Sequence, residues 1–253
     1  MGNDKSSSAF IGLDAQSGVD LKSDTGQTLA LNPAQRVIVA LDYTEPKQAM
    51  SLAKQLKGQA VWMKVGITLY YAAGPSIVAE LKALGFNVFV DAKLFDIPHQ
   101  VHGAAISLTQ SGADLFTVHG LGGLEMMQAA AEGAQEAAEV AGKPSPRVVA
   151  ITVLTSMDER MLARTGIMIG LREQVLTLAY LSQEAGLDGV VASPLELELL
   201  RSKLGEKPLI ITPGIRPSDA QIGDQSRVAT PSLAIAAGAN YLVIGRPITA
   251  AAD

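Results

Sequence analysis

The sequence has no cysteine among its 253 residues, which excludes a disulfide framework, a thiolate metal site and a cysteine nucleophile. Aromatic residues are scarce, at 4% with a single Trp, and charged residues make up only 18%. The hydrophobic 48% is therefore mostly Ala, Val, Ile and Leu. This aliphatic content is too high for a disordered chain and indicates a globular protein.

The chain also lacks a long hydrophobic run. Although the mean hydropathy is +0.23, the longest nearly apolar stretch, at 148–157, is about half the length of a membrane-spanning helix. We therefore predict no membrane segment. The first ten residues have neither the basic nor the apolar region of a signal peptide, so we expect a cytoplasmic protein. The net charge of −5 argues against nucleic acid as a partner.

The length allows one large domain or two small ones. Residues 1–32 are polar, rich in Ser, Asp and Gly, and show no sustained apolar period, which predicts a poorly ordered N-terminal extension. Residues 33–253 are then predicted to form a single catalytic domain.

From Arg36 onward, short β-branched runs alternate with Ala- and Leu-rich segments, and turn residues mark the joins. The predicted strands are residues 36–42, 60–66, 86–91, 113–119, 147–155, 188–193, 208–214 and 240–245. Segments 45–57, 75–85 and 123–142 have the apolar spacing of helices packed on a sheet.

Near-continuous apolar strands, each followed by a helix, indicate a parallel sheet covered on its outer face. Eight units over residues 36–250 average about 27 residues each, which is typical of a (β/α)₈ barrel. An open doubly wound sheet is the alternative, but no glycine-rich dinucleotide fingerprint follows the first strand. We predict an α/β fold, a single-domain (β/α)₈ TIM barrel.

Nearly every predicted strand ends in a polar residue, and in such barrels the chemistry lies at the carboxyl ends of the strands. In strand order these residues are Asp42, Lys64, Asp91 with Lys93 and Asp96, His119, Thr155 with Ser156, Arg216 and Arg246. Their concentration at one rim is the main functional signal in the sequence.

The densest part of this rim is DAKLFDIP at 91–98. In an extended strand, Asp91 and Lys93 point to one face, and with Lys64 and Asp96 they form a set that alternates in sign. One interpretation is a preorganised field around a reacting centre, with a lysine as proton donor. The other is a salt-bridge network that only closes the rim.

Two glycine–arginine pairs, Gly214 with Arg216 and Gly245 with Arg246, follow the last two strands. Loops at these positions form the usual phosphate site of the fold, although ordinary turns would explain each pair singly. A histidine-based metal site is disfavoured because lysines stand among the nearest carboxylates.

Six segments in order, VALD (39–42), KVG (64–66), DAKLFDIP, LTS (154–156), PGIR (213–216) and IGRP (244–247), resemble the orotidine 5′-phosphate decarboxylase family. The run at 224–248 adds to the resemblance, which covers roughly residues 36–250. It implies decarboxylation of orotidine 5′-phosphate to UMP and CO₂ in pyrimidine biosynthesis, without cofactor or metal.

The resemblance also implies residue roles. Lys93 would protonate C6 of the pyrimidine, Asp91 would face the substrate carboxylate, and Lys64 and Asp96 would complete the catalytic set. Asp96, with Ile97, would reach the site of a neighbouring subunit, which implies a homodimer. The implied substrate-binding residues are Asp42 and Lys64 for the ribose, Ile97, Gln100, Thr155 and Ser156 around the nucleoside, and Arg216, Gln225, Gly245 and Arg246 at the phosphate end.

One departure from the family pattern concerns the residues after DIP. Asn-Thr is commoner there, whereas this chain has His99 and Gln100. The Thr position is expected to touch the ribose across the dimer interface, and Gln100 can still donate and accept hydrogen bonds there.

Two alternatives stay open. The related 3-keto-gulonate-phosphate decarboxylases and hexulose-phosphate synthases share the barrel and use Mg²⁺ held partly by a strand-2 glutamate, where this chain has Lys64. A phosphosugar-binding barrel without chemistry would keep Gly245 and Arg246 but would need no alternating charges at 91–96.

Overall fold

The computed structural model describes residues 33–216 and 229–251. The predicted extension at 1–32 and Gln225, which is predicted to bind the phosphate, lie outside the described residues. Eight parallel strands close into a barrel in sequence order, each hydrogen-bonded to the next and the last to the first. The predicted (β/α)₈ barrel is confirmed.

The strands of the barrel are β1 (Val37–Ala40), β2 (Trp62–Gly66), β3 (Asn87–Leu94), β4 (Leu115–His119), β5 (Arg147–Ile151), β6 (Gly189–Val191), β7 (Leu209–Thr212) and β8 (Tyr241–Ile244). Each falls on a predicted strand. The boundaries differ most at β3, which continues to Leu94, and at β5, which ends at Ile151 rather than at residue 155.

The helices are α1 (Pro46–Gln55), α2 (Ile67–Ala73), α3 (Ser76–Ala83), α4 (Pro98–Ser111), α5 (Gly123–Ala141), α6 (Glu159–Arg164), α7 (Leu171–Glu184), α8 (Leu197–Leu204), α9 (Pro231–Ala236) and α10 (Arg246–Thr249). Short 3₁₀ turns occupy Pro33–Arg36, Gly120–Gly122 and Pro194–Glu196. Among these described elements, no helix is both long enough and apolar enough to cross a membrane.

Side chains alternate along the strands between the barrel interior and the layer beneath the helices. In β4, Leu115 packs with Phe89 in the interior cluster, whereas Phe116 and Val118 belong to the outer cluster with the helices. The interior is thus filled by apolar side chains up to Phe89, and the polar rim lies above this plug.

The pairing of β3 with β4 contains a bulge. Val90 pairs with Phe116 and Leu94 pairs with Val118, so three residues of β3 (91–93) lie opposite one residue of β4, Thr117. β3 is therefore not the regular strand that the i, i+2 spacing predicts. Bulges of this kind bend a strand and redirect its side chains.

Helices α4 and α5 lie close together at Gly133. A Cβ on Gly133 would lie 2.5 Å from the carbonyl oxygen of His102 and 3.3 Å from the Cβ of Ala105. We expect Gly133→Ala to destabilise the protein by about 1–3 kcal/mol, because backbone in the facing helix cannot yield as a flexible side chain would. The overpacking outweighs the better helix propensity of alanine, which is worth about 1 kcal/mol.

Thermal unfolding checks this expectation as a fall in Tm of several degrees. Gly103→Ala in α4 is the matched control, since a Cβ there meets nothing within 4 Å. Its Tm should stay level or rise. A Tm that rises in both variants would mean that the contact between α4 and α5 relaxes at no cost.

Candidate active site

A cavity of about 450 Å³ opens at the carboxyl ends of the strands. Its charged walls come from five strand ends, and Ile151, Val153 and Val191 line an apolar side. The predicted site residues that line it are Asp42, Lys64, Asp91, Lys93, Thr155, Arg216, Gly245 and Arg246. The fold thus brings together residues that lie more than 200 positions apart in the sequence.

Four of these residues form a linear network of alternating charges. The Nζ of Lys64 lies 3.1 Å from Oδ1 of Asp42 and 3.4 Å from Oδ2 of Asp91. The Nζ of Lys93 lies 2.8 Å from Oδ1 of Asp91. The order is therefore Asp42, Lys64, Asp91, Lys93, and each inner charge has an opposite charge on both sides.

Burial and charge act against each other at the two inner residues. Burial alone would lower the pKa of Lys64, but the carboxylates of Asp91 and Asp42 outweigh it and raise that pKa above its usual value. Burial alone would raise the pKa of Asp91, but the ammonium groups of Lys64 and Lys93 hold that pKa below its usual value. Both side chains are therefore charged at neutral pH.

The outer lysine differs from the inner one. The Lys93 side chain is 33% exposed, against 9% for Lys64, and it has one carboxylate partner rather than two. Lys93 is thus the ammonium group of this network that a ligand in the cavity can reach most freely.

Comparison with known proteins identifies the family of this chain. The family model "Orotidine 5′-phosphate decarboxylase / HUMPS family" matches residues 35–253. The chain belongs to this family. An orotidine 5′-phosphate decarboxylase of Nitrosococcus oceani is 50% identical over 86% of this chain and 92% of its own. One of Synechococcus sp. strain WH7803 is 49% identical over 88% and 91%.

A solved structure supports the same assignment. The orotidine 5′-phosphate decarboxylase of Lactobacillus acidophilus superposes with a TM-score of 0.78 and 38% identity. The match covers 87% of this chain and 93% of that one.

Three residues that the family resemblance places at the site lie outside the cavity of a single chain. Asp96 and Ile97, in the loop after β3, and Gln100, in the first turn of α4, are exposed, Ile97 to 62%. The Asp96 carboxylate accepts a hydrogen bond from the Ile97 amide at 2.7 Å and has no ion pair within the described residues. The alternating set is therefore completed within one chain by Asp42, not by Asp96.

Two other rim residues also stand apart from the cavity lining. Ser156 follows Thr155 but is exposed. The Nδ1 of His119 accepts the Leu121 amide at 3.3 Å, and its ring lies 5.4 Å from that of Phe95. Burial and the nearby charge of Lys93 lower the pKa of His119, which favours its neutral form.

Thr117 is not among the predicted site residues. It is fully buried in β4, and its hydroxyl contacts Asp91 and the backbone of Lys93. A signal was available, because Thr117 is the polar residue two positions before His119 in an otherwise apolar strand. In the part of the chain that the structure describes, no group of three or more His, Asp and Glu residues is placed to hold a metal ion.

Proposed function

We propose that the chain decarboxylates orotidine 5′-phosphate to UMP and CO₂ in pyrimidine biosynthesis. The observation that carries the proposal is the network of alternating charges formed by Asp42, Lys64, Asp91 and Lys93, in a cavity whose rim also holds arginines. Relatives named for this activity are about half identical to the chain over most of its length.

The reaction needs a fixed positive charge and a proton. When the bond between C6 and the carboxylate breaks, CO₂ leaves and the electron pair stays on C6, where no carbonyl group serves as a simple electron sink. The Lys93 ammonium group stabilises this charge and then transfers a proton from Nζ to C6. Because Asp91 already holds Lys93 at 2.8 Å, the ammonium group is oriented before the substrate enters.

The two lysines divide the work. The pKa of Lys64 is raised by two carboxylates, so this residue keeps its proton and neutralises Asp42 and Asp91. With Asp42 it can also hydrogen-bond the ribose hydroxyls. Lys93 is the more exposed and less restrained of the two, which suits a group that must give up a proton.

We place the phosphate at the loops after β7 and β8. Gly214 with Arg216 and Gly245 with Arg246 line the cavity there. Guanidinium groups match phosphate oxygens, and glycines let the backbone come close. Thr155 is placed at the pyrimidine, with Ser156 nearby. The phosphate is remote from C6, so its binding energy can order and desolvate the site.

We also propose a homodimer with shared sites. Asp96, Ile97 and Gln100 belong to the family site but lie exposed outside the cavity of their own chain. Phe95 beside them is 61% exposed, so this segment offers apolar area as well as polar groups to a second copy. A cytoplasmic location completes the proposal, since the substrate and product are biosynthetic nucleotides.

The function is tested by measuring the decrease in orotidylate absorbance with purified protein in a buffer that contains a metal chelator. We expect turnover at full rate without added metal. Activity on 3-keto-gulonate phosphate that disappears with chelator would instead favour the Mg²⁺-dependent relatives. Lys64 argues against this outcome, because an ammonium group paired to both nearby carboxylates opposes a cation there. Tight UMP binding without turnover would indicate a binding protein.

A further inference from the structure

The bulge between β3 and β4 leaves the middle of β3 without regular strand pairing. Residues 91–93 lie opposite Thr117 alone, and they include both Asp91 and Lys93. The residue that fills this gap therefore sets the backbone beneath the catalytic carboxylate and the proton donor.

Thr117 fills the gap with its side chain. Its Oγ1 accepts a hydrogen bond from the backbone amide of Lys93 at 2.8 Å and donates one to Oδ1 of Asp91 at 3.1 Å. The directions are fixed, because an amide can only donate and an ionised carboxylate can only accept. One hydroxyl thus joins the two residues through separate contacts.

The backbone that this hydroxyl holds is an unusual one. Lys93 has φ +50°, and among the described residues it is the only non-glycine residue with positive φ. Such conformations are unfavourable for a residue that has a Cβ, and they persist where surrounding contacts enforce them. The bond from the Lys93 amide to Thr117 is such a contact, and it directs the Lys93 side chain back towards Asp91.

We propose that Thr117 is a positioning residue for the decarboxylation, acting through Asp91 and Lys93 without touching substrate. The inference rests on the proposed function. Thr117 is fully buried and does not line the cavity, so its effect passes through the two residues it bonds. It fixes the backbone of the proton donor, and its hydrogen bond adds to the larger effect of Lys64 and Lys93, which holds the pKa of Asp91 below its usual value.

Charged or titratable groups lie near this carboxylate on the strands around it. Lys64 faces Asp91 from β2, Lys93 faces it from β3 itself, and Asp42 stands behind Lys64. His119 ends β4, and burial together with the nearby charge of Lys93 lowers the pKa of His119, which favours the neutral imidazole. Thr117 is the uncharged donor to this carboxylate, so removing its hydroxyl leaves the charges in place and withdraws one hydrogen bond.

The test compares Thr117→Val, which keeps the shape and removes the hydroxyl, with Thr117→Ser, which keeps the hydroxyl. We expect Thr117→Val to lower kcat about 10- to 100-fold, as small misplacements of reacting groups do, with KM changed less than about threefold. The acid limb of its pH–rate profile should move to higher pH, because the ionised Asp91 loses a donor. Thr117→Ser should restore both properties.

Three results would overturn the proposal: an unchanged kcat and acid limb in Thr117→Val, a defect in KM alone, or a Thr117→Ser variant as impaired as Thr117→Val. If Thr117→Val does not fold, Thr117→Ser against Thr117→Ala gives the same comparison, since these two differ only by the hydroxyl.

Amide hydrogen exchange at Lys93 separates this inference from the proposed function. Exchange should be faster in the variant without the hydroxyl and wild-type-like in Thr117→Ser, whether or not the protein acts on orotidylate. Wild-type protein without turnover would refute the function alone. Unchanged exchange at Lys93 would refute the positioning role alone.

Discussion

Lys93→Ala should abolish turnover of orotidine 5′-phosphate and leave the barrel folded. We expect kcat to fall about 10⁴-fold or more, since the variant loses both the proton donor and the fixed charge beside C6. The fold should survive because Asp91 keeps Lys64 at 3.4 Å and the Thr117 hydroxyl at 3.1 Å, so no buried carboxylate is left without a partner. Orotidylate absorbance measures the rate, and circular dichroism with thermal unfolding measures the fold.

Lys82→Ala is the matched control for this variant. Lys82, in α3, pairs at 2.7 Å with Asp114, which precedes β4 and so lies at the amino end of the barrel, away from the cavity. We expect its kcat to stay near wild type, with a loss of stability of about 1 kcal/mol or less. Equal rates in wild type and Lys93→Ala would rule out Lys93 as the proton donor.

The sequence is sufficient to predict the barrel and most of its rim because both depend on local patterns. β-branched runs separated by amphipathic segments mark each strand and helix, and a strand that ends in a polar residue delivers it to one edge. Asp42, Lys64 and Arg246 therefore reach the cavity as predicted. The local sequence pattern alone is enough to predict these three placements.

The bulge in β3 could not be predicted in this way. The segment 87–94 has the pattern of a regular strand, and only the pairing with β4 shows three residues opposite Thr117. The positive φ of Lys93 is tied to a hydroxyl 24 residues away in sequence, which no local propensity encodes. Asp91 and Lys93 do meet, but through this bend rather than through the spacing of an extended strand.

The family motif also conceals which residues act together within one chain. DAKLFDIP presents Asp91, Lys93 and Asp96 as one cluster, yet the chain leaves the strand at Leu94 and exposes Asp96. Asp42, more than 40 residues earlier, takes the fourth place in the charge network instead. Spacing within a motif therefore does not indicate which of its charged residues contact one another within one chain.

If Asp96 acts in the site of a second copy, subunits with different defects should repair each other. Lys93→Ala and Asp96→Ala homodimers should each be nearly inactive. Coexpression of the two chains should restore about a quarter of wild-type activity, because half of the dimers are mixed and each mixed dimer has one intact site of two. The rate is measured on the purified mixture, and light scattering confirms the dimer.

The matched control for this experiment combines Lys93→Ala with Asp91→Ala. Lys93 and Asp91 lie 2.8 Å apart in one chain, so every site of the mixed dimer lacks one of them and no activity should return. Recovery in this control would indicate that the two genes recombined to a wild-type copy during coexpression, rather than that the subunits share sites. No recovery in the Asp96 mixture, with dimers present, would place Asp96 with its own chain and require the loop after β3 to fold inward over the cavity when substrate binds. Recovery to a quarter in that mixture alone would instead explain why the exposed Asp96 carboxylate forms no ion pair with the residues that the structure describes: its partners belong to the other subunit.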